Sequence, residues 1–162
     1  MLFFLLNFLC YNHIKIDKRG LMGYSEWLET HINKHQKIIQ KLVKNNYSQD
    51  EIIEYFDFEN MKEKERAFCP LYAKDKKCHD MKELNCYICA CPNFRFNDDG
   101  LDIYDSHPIL SKCAIHNGST IASKKTGAIH QNCTSCSVPH HKSFVKKHFS
   151  LDLKEILKKC SV

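Results

Sequence analysis

Asn85-Cys86-Tyr87-Ile88-Cys89-Ala90-Cys91-Pro92 places three thiols within six residues, and Cys133-Thr134-Ser135-Cys136 follows downstream, running into Pro139-His140-His141. Two cysteines separated by two residues put both sulfurs on one ion within a tight turn. Zinc takes four such thiolate or imidazole ligands in a tetrahedron. Eight of the ten cysteines fall between Cys69 and Cys136. The ligand set read from this spacing is Cys69, Cys78, His79, Cys86, Cys89, Cys91, Cys113, Cys133, Cys136 and His140, enough for two zinc ions. Pairing Cys86/Cys89 with Cys133/Cys136 gives one four-thiolate site. Cys133-x2-Cys136-x3-His140 gives another partial set. Cys10 and Cys160 sit in apolar or helical context and read as ordinary thiols. His31 and His35 read as core-edge or surface residues of a helix.

The 162 residues suit one domain. The stretch from Cys69 to Cys136 has no long buried-strand run and no long amphipathic pattern, so burial alone would hold it poorly. A structural zinc supplies on the order of 10 kcal/mol. In a secreted chain the same thiols would form disulfides. The apolar start, Met1 to Cys10, has no basic region before it and no small-residue cleavage site after it. It is also shorter than the roughly 20 residues of a membrane span. Reduced thiols in a cytoplasmic protein are therefore expected, and Met22 offers an alternative start. The formal net charge is +5. From Ser111 onward nine lysines face Asp152 and Glu155, a basic surface open to RNA or an acidic protein.

Working outward, residues 24–45 read as an amphipathic helix that Ser25 can cap. Leu28, Ile32, His35, Ile38, Ile39 and Leu42 form its stripe. Asn45-Asn46 ends it. Ser48-Gln-Asp-Glu51 is a capping box that opens a second helix bearing Ile52, Ile53 and Phe56. Residues 67–138 read as loops, with turn signals at Cys69-Pro70, Cys91-Pro92, Asp98-Asp99-Gly100, His107-Pro108 and Asn117-Gly118. Pro139 suits a helix start, and the apolar pattern after it runs to Cys160 with a break near Ser150. The expected fold is small, α-rich, irregular and metal-stabilised. It comprises an apolar extension at 1–22, a helical hairpin at 23–66, a loop-rich cysteine domain at 67–149 and a C-terminal helix at 150–162.

Cys78-His79, the Asn85-Cys86-x2-Cys89-x-Cys91-Pro92 run, Cys113 and Cys133-x2-Cys136-x2-Pro139-His140 together resemble the cysteine-rich small domain family, over roughly residues 69–149. The family has glycines after its central cysteine, where this chain has Ala114-Ile115. The resemblance implies metal binding and no particular reaction.

No nucleotide-binding glycine motif, no Gly-x-Ser-x-Gly and no His-Glu-x-x-His occurs. Gly118 to Gly127 forms a basic, hydroxyl-rich loop that could hold phosphate. The leading expectation is a metal-binding module, zinc-dependent, that presents its lysine-rich face to a protein or RNA. A metal- or thiol-dependent enzyme in cofactor or RNA modification is the alternative, with Cys91 or Cys113 as a spare thiol. An iron–sulfur electron carrier is the third reading, since Cys86, Cys89 and Cys91 supply three close thiolates. The histidines favour zinc.

Overall fold

The structure, a computed structural model, describes residues 24–96, 102–124 and 126–158. The N-terminal extension with Cys10, the Ser25 side chain, Asp98-Asp99-Gly100, Lys125 and Cys160 lie outside the described residues.

Helix α1 spans Tyr24–Lys44. Ile32, His35, Ile38, Ile39 and Leu42 of its stripe are buried. Asn46 ends it in the left-handed region at φ 59°. The Tyr47 N–H donates to the Leu42 carbonyl (3.1 Å) and the Asn46 N–H to that of Val43 (2.9 Å), the pair of bonds that closes a Schellman end. Helix α2, Gln49–Tyr55, opens with the reciprocal Ser48/Glu51 capping box. The expected second helix of the hairpin is in fact two, because α3 begins afresh at Phe58–Lys64. The cysteine loop takes the backbone of the joint for itself. The Cys86 N–H donates to the Phe56 carbonyl (2.7 Å), and the Phe58 N–H donates to that of Leu84 (2.8 Å).

One core joins the helices to the first cysteine loop. Phe56, Met61, Tyr87, Ile88 and Val145 are fully buried and pack with Ile39, Leu42, Ile52 and Ile53. His35 lies at its centre rather than at its edge, 0% exposed. Its ring sits 4.9 Å from that of Phe56 and meets the Tyr87 ring edge-on at 4.6 Å. Burial pushes its pKa down to about 3, so the imidazole is neutral. His31 is buried too and stacks on Trp27.

The stretch expected as loops carries six short strands, so the fold is mixed α/β rather than α-rich. They are β1 Phe94–Phe96, β2 Asp102–Tyr104, β3 His107–Ile109, β4 Ser111–Cys113, β5 Ser119–Ala122 and β6 Ile129–Asn132. β1 and β4 pair antiparallel, and the other four form a sheet in the order β2-β3-β6-β5 with β3 and β6 parallel. Asp105 and Ser106, both at positive φ, make the tight two-residue turn between β2 and β3. Pro108 lies inside β3, opposite Ile103, rather than in a turn.

The chain returns through a 3-10 turn, Val138–His140, with Pro139 as its second residue; the expected helix starts separately, after an extended His141. The chain ends in α4, Lys142–His148, and α5, Leu153–Leu157, divided near Ser150. Leu153 and Leu157 of α5 pack with Ile32 and Trp27 of α1. Among the described residues no helix is long and apolar enough to cross a membrane.

Candidate metal centre

Asn85, 1% exposed, organises the centre. Its amide nitrogen donates to the Ile53 carbonyl (2.6 Å) and to Asp57 Oδ1 (3.0 Å), and its side-chain oxygen accepts from the Tyr87 N–H (3.0 Å). All of its side-chain bonding therefore goes to fixing the Cys86 loop on α2 and α3. Its backbone holds His140 twice. The Asn85 N–H donates to the His140 carbonyl, and His140 Nδ1 bonds the Asn85 carbonyl, each at 3.0 Å. A carbonyl only accepts, so Nδ1 carries the proton and the lone pair of the neutral ring is on Nε2. That Nε2 lies 3.8 Å from the Cys78 sulfur.

His79 is set in the same way. Its Nδ1 bonds the Thr134 carbonyl at 3.2 Å, which leaves Nε2 as the ligand atom. Its ring centroid is 4.7 Å from that of His140. Burial lowers the pKa of both imidazoles, that of His140 to about 4, so both are neutral. Cys78, His79 and His140 bring three ligand atoms within 4.8 Å of one another, and no other group among the described residues does so. One sulfur, two imidazole Nε2 atoms and a backbone-held Nδ1–H behind each ring make a donor group and outer shell that could hold a metal ion.

Beside this group lies a nest of thiols. Cys89 interacts with Cys86, Cys78 and Cys69, and the buried Tyr72 hydroxyl faces Cys86. The Cys89 thiol also donates to the Cys86 carbonyl at 3.1 Å. Of this pair Cys86 ionises first: the neighbouring Cys89 favours its thiolate, while Cys89 is held up. Cys86 is 3% exposed.

The remaining cysteines go elsewhere. Cys91 interacts with Cys136 and Cys113, and Cys113 stands opposite Phe94 in the β1–β4 pair. The spacing-based sets are therefore divided. Cys86 and Cys89 lie with Cys69 and Cys78. His140 joins Cys78 and His79, not Cys133 and Cys136, because the two Asn85 bonds pull it to the helical side. Sequence reasoning missed the role of Asn85, although its place directly before the first thiol of the run was the available signal.

The basic face is partly consumed within the chain. Lys142 pairs with Glu54 and Asp57, and Lys146 with Asp50, which fastens α4 to α2 and its flank.

No family model, curated protein or solved structure matches this chain.

Proposed function

We propose that this chain is a zinc-binding protein whose centre is held by Cys78, His79 and His140, with Cys89 as the fourth donor from the adjoining thiol nest. The observation that carries the reading is the pair of Nδ1-to-carbonyl bonds, which turn two neutral Nε2 lone pairs toward one sulfur. Two imidazoles beside a thiolate suit zinc and sit poorly with an all-thiolate iron–sulfur cluster. A site closed by four protein ligands is structural. We further propose a reducing cytoplasmic setting, and the resemblance of residues 69–149 to the cysteine-rich small domains accords with this function.

Anaerobic purification followed by metal analysis tests it. A colourless protein with stoichiometric zinc, lost in Cys78→Ser and His140→Ala, is the expected result; a brown protein with iron overturns it. Cys89→Ser separates the two kinds of zinc site: loss of the ion marks a closed site, and its retention marks an open, catalytic one. Asn85→Ala leaves every donor in place but frees the His140 ring. It should weaken zinc about 10- to 100-fold in a competition titration against a chelator.

A further inference from the structure

Between residues 94 and 132, only Ser111, Cys113 and Ala128 are buried among the described residues. Ile103 is 74% exposed and Tyr104 68%. Strands this short with no apolar interior need another source of cohesion.

Three turns meet at one end of this layer, and each opens with a cysteine. The Phe94 N–H donates to the Cys91 carbonyl (3.0 Å), the His116 N–H to that of Cys113 (3.1 Å) and the Cys136 N–H to that of Cys133 (3.0 Å). The turns are tied to one another. The Ala114 N–H donates to the Asn93 carbonyl (2.8 Å), and Asn117, just past the second turn, donates to Cys136 of the third. Two of the sulfurs have donors aimed at them. The Asn93 N–H lies 3.4 Å from Cys91 Sγ, and Asn117 Nδ2 lies 3.2 Å from Cys136 Sγ. An N–H aimed at sulfur is the kind of outer contact that a metal-bound cysteine accepts. Gly118, at φ 86°, makes the Asn117 contact feasible, since a Cβ there would sit 2.7 Å from the Asn132 carbonyl oxygen.

We infer that Cys91, Cys113, Cys133 and Cys136 form a second, all-sulfur zinc site that fastens the strand layer. Its sulfurs stand farther apart than the donors of the Cys78 group, so closing on an ion draws the three turns together. The inference rests on reading the chain as a zinc protein, but it uses none of the same ligands.

The test is the ion count of the full chain at saturating zinc, by native mass spectrometry. Cys91→Ser, Cys113→Ser, Cys133→Ser and Cys136→Ser should each lose one ion that Cys78→Ser keeps. Unchanged counts in these four variants, or a disulfide between any two of the four, overturn the second site and leave the first standing. Unchanged counts in Cys78→Ser and His140→Ala, with loss in the other four, overturn the first and leave the second. Cobalt titration of the wild-type chain guards against variants that fail to fold. It should saturate at two equivalents, part of the signal carrying the spectrum of sulfur-only coordination; saturation at one equivalent overturns the second site.

Discussion

The helical and strand parts of this molecule are built on different physics. The helices close over Phe56, Tyr87, Ile88 and Met61, all essentially inaccessible to water. The strands leave Ile103 and Tyr104 in solvent and bury little besides Ser111, Cys113 and Ala128. Local geometry is nonetheless shared across the divide. Cys69-Pro70-Leu71-Tyr72 and Cys91-Pro92-Asn93-Phe94 are the same turn, each with the N–H of its fourth residue donating to the cysteine carbonyl (3.1 and 3.0 Å). One turn sits against an apolar core, and the other has almost none beside it. The same cysteine turn can thus decorate a structure that burial already supports or be the main thing holding one together.

Metal removal should break the comparison open. Chelation is expected to abolish amide-exchange protection across residues 94–132 while much of the helical circular dichroism persists; simultaneous loss of both would show one cooperative unit. Phe56→Ala should do the reverse and cost the whole fold about 3–5 kcal/mol, read by urea unfolding of the zinc-loaded protein.

His35 gives the helical core a pH signature of its own. Its folded pKa is lowered to about 3 from an ordinary 6.5, so between those values the unfolded chain binds the extra proton. Its contribution to stability is complete above pH 6.5 and falls by about 1.4 kcal/mol per pH unit on acidification toward pH 3. His35→Phe should remove that slope, seen as a smaller gap in unfolding free energy between pH 7 and pH 5.5 than in the parent. The smallest effect belongs to the α4–α2 contact. Lys146 and Asp50 are both exposed, and Lys146→Ala should change stability by less than about 1 kcal/mol, with any effect shrinking in salt.

The helical half was legible wherever the signal was local. The stripe on α1, the Ser48/Glu51 capping box and the Asn46 stop are each encoded within a few residues of where they act. The split between α2 and α3 was not, because its cause is Leu84 and Cys86 bonding to the backbone at the joint from more than 25 residues away. The strands were illegible for a different reason. Alternation appears in a sequence only when one face of a sheet is buried. Here β5 is exposed along its length and β6 half-buried throughout. The cysteines and histidines stand out in the sequence, but which of them meet in space does not. Which histidine meets which cysteine is decided by Asn85 and by the pairing of Cys113 opposite Phe94, both long-range.

The bond from the Thr134 carbonyl to His79 has a thermodynamic consequence. Thr134 rides on the turn between Cys133 and Cys136, so whatever orders that turn also orients a donor of the Cys78 centre. If each end of the bond takes up an ion, filling one raises the affinity of the other, and linkage requires the same factor in both directions. The chain would then load in a cooperative step, passing from empty to fully occupied over a narrow range of zinc concentration.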